Sequence, residues 1–197
     1  MLKRTNKRPT EYDITYPLLS TWLLIKESRK VFEKIYESSR LMSLLGLTAE
    51  SYIRELLTEA VGRRIVIYED EKGTYFCGTV DKLELNLKRI LGKKDTDIFF
   101  SKLSLRNSDI VAYEEDRVIL FEVKAGIKEP KLSDIMDLFR VVESLKRRGL
   151  NALGIIIYLN VDMVPHRIVA EATRKRIIIM TNEAIRSLAR KVEFPKV

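Results

Sequence analysis

The stretch from Ser108 to Gly126 constrains the fold more than any other, because two apolar runs enclose a polar cluster of turn length. Ile110 to Tyr113 and Val118 to Phe121 are built of strand-forming residues, and Glu114-Glu115-Asp116-Arg117 between them has the composition of a hairpin turn. With the turn centred between Glu115 and Asp116, Tyr113 pairs with Val118 and Asp109 falls opposite Glu122. Loops of two or four residues give that register, whereas an odd-numbered loop shifts it by one and sends the two carboxylates to opposite faces.

Directly opposed side chains in an antiparallel pair have Cβ atoms roughly 4.5–5.5 Å apart, and like charges placed there repel. Asp109 and Glu122 therefore ask for positive charge between them. Lys124 lies two positions beyond Glu122 and shares its face, on a strand whose first part is apolar on both faces. A hard divalent cation suits the same place: Mg²⁺ takes one or two carboxylates, keeps several waters and accepts phosphate oxygens. The backbone carbonyl of Val123 would add a ligand. Taken alone, an acid-x-lysine triplet favours an ordinary surface ion pair at the strand's exposed end, worth under ~1 kcal/mol.

Ser108-Asp109 followed by Glu122-Val123-Lys124 resembles the signature of the PD-(D/E)xK nucleases, an acid at a strand start and then (D/E)-x-K on the next strand. Ser108 stands where the name-giving proline would be, and that proline carries no chemistry. The resemblance runs from about Leu47 to Met180. It implies a further acid from a helix ahead of the sheet, for which Glu50 in Gly46-Leu-Thr-Ala-Glu50 is the match and Glu55 the fallback. The implied catalytic set is Asp109, Glu122, Lys124 and Glu50, and the implied metal ligands are Asp109, Glu122, Glu50 and the Val123 carbonyl. Mg²⁺ is the implied cofactor, with Mn²⁺ as a substitute. In size and character the chain is similar to archaeal Holliday-junction resolvases and archaeal viral nucleases, which implies a homodimer acting on branched DNA. A restriction-type or general endonuclease, and a nucleic-acid-binding module of the same fold without turnover, are the alternatives.

The net charge of +8 and pI near 9.5 point to a polyanionic partner, whether nucleic acid, an acidic protein or an anionic membrane. The acid–lysine cluster favours nucleic acid. Lys3, Arg4, Lys7 and Arg8 in a basic arm over residues 1–16, together with Lys128 and Lys131, are candidate phosphate contacts, with ordinary solvated charge as the even alternative for the arm. No apolar run approaches the ~18 residues that span a bilayer, and the basic start lacks the apolar core of a secretory signal, so an intracellular protein without a membrane partner is expected. With Cys77 as the one cysteine, an internal disulfide, a zinc ribbon and a four-thiolate cluster are excluded. With His166 as the one histidine, so is a histidine-clustered metal site, and any hydrolysis must run on carboxylates, lysine and metal.

At 197 residues, 46% of them hydrophobic and 32% charged, the chain suffices for one domain over 1–197. Helical spacing predicts a helix from Leu18 to Leu45 stopped by Gly46, and a second from Thr48 to Val61 with Thr48 as N-cap. Arg64 to Tyr68 and Thr74 to Val80 read as a hairpin, and 81–107 as an insertion in which Ile98-Phe99-Phe100 is another strand. After Lys124 come a helix from Pro130 to Arg148, a buried strand from Gly154 to Leu159, a short helix from Pro165, a strand from Arg176 to Met180 and a helix from Asn182. One helix between two strands demands a crossover and hence a parallel pair. The expected fold is α/β, a mixed central sheet flanked by helices with an extra N-terminal helix, and the resemblance makes its core restriction-endonuclease-like.

Overall fold

The computed structural model describes residues 2–4, 12–14, 39–69, 82–125, 129–159, 161 and 163–193. The chain separates into two compact units, Met1–Tyr52 and Ile53–Val197. In the first, strands β1 (Leu2–Arg4) and β2 (Tyr12–Ile14) pair antiparallel, with Lys3 against Asp13.

Helix α1 (Ser39–Glu59) corrects the expected break at Gly46, because it runs through Gly46, and Thr48 lies inside it rather than capping it. A glycine inside a helix costs only about 1 kcal/mol relative to alanine, and Leu44, Leu45, Leu47 and Ala49 around it are good helix formers. The rest of the helix expected from Leu18, through residue 38, lies outside the described residues. In the second unit α1 buries Ile53, Leu56, Leu57 and Ala60, the spacing of one helical face. Gly62, at φ +79°, makes the turn that follows, and its N–H donates to the Leu87 carbonyl at 2.8 Å.

Strand β3 (Arg64–Glu69) pairs antiparallel with β4 (Lys82–Asn86), with Ile65 against Leu85. The expected partner strand Thr74–Val80 lies outside the described residues. Leu83, Leu85 and Leu87 are buried in alternation, the period of a half-buried strand. Strand β5 (Arg89–Ile90) and helix α2 (Lys93–Leu103) follow. Ile98-Phe99-Phe100 therefore lies on a helix, not a strand. Thr96 and Phe100 are buried four residues apart, Phe99 and Leu103 pack against the core, and Ile98 is exposed, which is the stripe of a 3.6-residue repeat.

The main sheet has the order β5-β6-β7-β8-β9, with β6 (Ile110–Tyr113), β7 (Val118–Ala125), β8 (Ala152–Leu159) and β9 (Ile177–Met180). β6 and β7 form the expected hairpin in the expected register, from Tyr113 against Val118 to Ile110 against Phe121. The Glu114 N–H donates to the Arg117 carbonyl at 2.9 Å to close its turn. Helix α3 (Leu132–Arg147) crosses from β7 to β8 and helix α4 (His166–Lys175) from β8 to β9, and both pairs are parallel. Helix α5 (Asn182–Glu193) ends the described chain. The architecture is α/β, a mixed central sheet flanked by helices.

Gly154 shows where α3 sits. A Cβ there would lie 2.9 Å from Val142 Cγ2 and 3.2 Å from Leu138 Cγ of α3, and 2.7 Å from Ile177 Cδ1 of β9. Gly154 pairs with Leu120, and the same sheet face continues through Glu122 with Ile156 and Lys124 with Tyr158. Leu120, Leu138, Val142, Ile156 and Tyr158 share one buried cluster beneath the helix.

Candidate active site

Burial along β7 changes where the charges begin: Val118 to Phe121 are buried, and Glu122 to Ala125 are half-buried. Asp109 immediately precedes β6, and continuing the register by one step sets it level with Glu122. One Asp109 carboxylate oxygen accepts the Val123 N–H at 2.7 Å. The Asp109 carbonyl accepts from the Arg54 guanidinium of α1 at 2.8 Å, so a helix side chain fixes the backbone that carries the acid. The Ser108 hydroxyl, buried, lies 3.2 Å from the Phe121 carbonyl and 3.4 Å from a Glu122 oxygen. The Lys124 ammonium donates to the other Glu122 oxygen at 2.6 Å. The Glu122 side chain keeps 16% exposure and that of Lys124 35%, so the triplet is a recessed pair and not a freely solvated one.

The electrostatics follow from that recess. Burial pushes the Glu122 carboxyl above its ordinary range, and the neighbouring Asp109 charge pushes it further, against the pull of Lys124 and Arg106. Burial by itself would lower Lys124, but the Glu122 charge and hydrogen bond outweigh it, with Asp109 and Asp134 adding to them, so its ammonium is held above the usual lysine value.

Two residues that the sequence did not single out complete this face. Tyr158, opposite Lys124 on β8, is buried, and its hydroxyl lies 3.5 Å from an Asp134 oxygen. Asp134, in the first turn of α3, takes the Lys131 N–H at 3.1 Å on that same oxygen. Burial pushes the Tyr158 phenol upward, and the charges of Asp134 and Glu122 add to this. Only an acid in the first turn of the helix after the lysine strand hinted at Asp134; nothing local pointed to Tyr158 or Arg54.

No protein-family model, no curated protein and no solved structure matches this chain.

Among the described residues, no group of three or more His, Cys, Asp or Glu side chains gathers to hold a metal ion. What the strands bring together is the two-carboxylate set of Asp109 and Glu122, with the Val123 backbone between Glu122 and Lys124. That set matches the one or two carboxylates that Mg²⁺ takes when waters and phosphate oxygens fill its other positions. Glu50 lies half-buried on α1 within the unit Met1–Tyr52, and Glu55 is exposed on the same helix. Lys3 and Arg4 stand on β1, Lys131 is exposed just before α3, and Lys7, Arg8, Lys128 and Cys77 lie outside the described residues. His166 is exposed at the start of α4. Among the described residues no helix is long and apolar enough to cross a membrane.

Proposed function

We propose that this protein is a metal-dependent nuclease that hydrolyses phosphodiester bonds in DNA, in the manner of the structure-specific resolvases. One observation carries the reading: Asp109, just ahead of β6, and Glu122 on β7 lie level at the half-buried end of the hairpin, with a lysine bonded to Glu122 on the same face. Asp109 and Glu122, with the Val123 carbonyl, are the residues that would hold Mg²⁺. The ion would polarise the scissile phosphate and lower the pKa of a bound water. Glu122 fixes the Lys124 ammonium at 2.6 Å and keeps it protonated, so Lys124 offers fixed positive charge to the phosphate as charge develops there. The Val123 N–H and the Arg54 guanidinium hold Asp109 at its carboxylate and its carbonyl, so the acid is positioned before substrate arrives. Two such chains in a dimer would act on a branched junction.

The test compares wild type with Glu122→Gln on four-way, flapped and linear DNA, with and without Mg²⁺. Cleavage by the wild type is expected to require the metal and to fall roughly 100-fold or more in the variant. Equal nicking by both proteins overturns the assignment. Symmetric incision of four-way junctions in preference to linear duplex decides for the resolvase form. Mg²⁺ is also expected to raise the Tm of the wild type and not of Glu122→Gln, a readout independent of turnover. A second reading, a binding module without turnover, is favoured by the lack of a third acid gathered at the site among the described residues. Salt-sensitive DNA binding with no cleavage selects it.

A further inference from the structure

We propose that Ser108 is a positioning residue: its buried hydroxyl holds one oxygen of Glu122 while Lys124 holds the other, and together they set the plane that the carboxylate presents to a divalent cation. The last torsion of a glutamate is broad and roughly two-fold, so the Glu122 rotamer alone leaves its oxygens free to turn. Lys124 donates to Oε1 at 2.6 Å, and one bond on one oxygen still allows that turn. Ser108 Oγ lies 3.4 Å from Oε2, the oxygen that Lys124 does not take. The chain bends at Asp109, between Ser108 and the first residue of β6, so Ser108 lies outside the ladder and meets Phe121 and Glu122 of β7. It is 4% exposed there, and a hydroxyl closed off from water needs an acceptor within the fold. Two are in reach, the Phe121 carbonyl at 3.2 Å and Glu122 Oε2, and the hydroxyl has one proton to share between them. An ionised carboxylate only accepts, and a hydrogen bond to a charged acceptor is roughly twice as strong as one to a neutral carbonyl. The proton is therefore drawn to Glu122. The role toward a metal ion rests on the nuclease reading, and the hold on the carboxylate does not.

Ser108→Ala removes the hydroxyl, and Ser108→Cys keeps nearly its shape while offering only a weak donor. Thermal melts establish that each variant is folded, and Ser108→Cys carries the test where Ser108→Ala does not fold. In metal-free crystals the wild-type Glu122 carboxylate is expected in one orientation, with Oε2 toward Ser108. In both variants it is expected to turn, or to split between orientations, while its bond to Lys124 persists. A carboxylate that stays put in a folded variant overturns the proposal. Mg²⁺ affinity, read from the rise in Tm with Mg²⁺ concentration, is expected to fall roughly 10-fold or more in both variants, as for partners one step removed from a metal ligand. Wild-type affinity in Ser108→Cys, whatever Ser108→Ala shows, assigns the effect to side-chain volume and overturns the proposal as well. In cleavage the loss is expected in kcat with little change in KM for DNA, and a loss confined to KM overturns the role. A wild type that binds no Mg²⁺ and cuts no DNA defeats the nuclease reading alone, since the crystals still decide what holds Glu122.

Discussion

Glu122 occupies a place that opposes its own ionisation, through burial and through Asp109 beside it. Its folded pKa lies above the unfolded value of ~4.3, so its contribution to stability is fully present below that value and is lost as pH rises through the folded pKa. At neutral pH the charged side chain therefore costs stability, as groups poised for chemistry often do. Glu122→Gln is expected to melt higher than wild type at pH 7, with the gap narrowing as pH falls toward ~4. Thermal scans at both pH values check this, and a lower Tm for the variant at pH 7 would count against it. Asp109, Glu122, Val123 and Lys124 were legible in the sequence because a hairpin fixes its register locally, through the length of its own turn. Tyr158 was not, since the parallel register between β7 and β8 is set by a helical crossover and its packing.

At the scale of elements, the contact between α3 and the sheet depends on the missing side chain at Gly154. Ile177 Cδ1 is the end of a flexible chain and can turn aside, but Val142 Cγ2 is branched at Cβ and held in one rotamer on its helix. Gly154→Ala is expected to destabilise the fold by ~1–3 kcal/mol as the helix lifts, measured by denaturant unfolding. A neutral result would mean that α3 yields without strain. The order of strands and helices from Ile110 to Asn182 was legible because each apolar run there is bounded by turn residues. Helix α2 was missed because Ile98-Phe99-Phe100 is a short apolar run, in which strand and helix look alike until the burial of Thr96 and the packing of Leu103 extend the period. The predicted break at Gly46 failed for a different reason, since a single glycine cannot overrule the strong helix formers on either side of it.

For the molecule as a whole, 36 Lys and Arg against 28 Asp and Glu give the excess of +8 that makes a polyanion the natural partner. Each duplex phosphate neutralised contributes a slope of about −0.9 to log K against log salt. Four such contacts would weaken binding roughly 100-fold between 50 and 200 mM salt. Fluorescence anisotropy with labelled duplex checks this, and binding indifferent to salt would show that the basic excess is not used. The five-stranded sheet also ends on β5, two residues long, and on β9, four residues long. A row of unpaired N–H and C=O groups on a rim strand is what lets one chain template another. Rims this brief offer little such template, so strand-to-strand accretion through this five-stranded sheet is disfavoured.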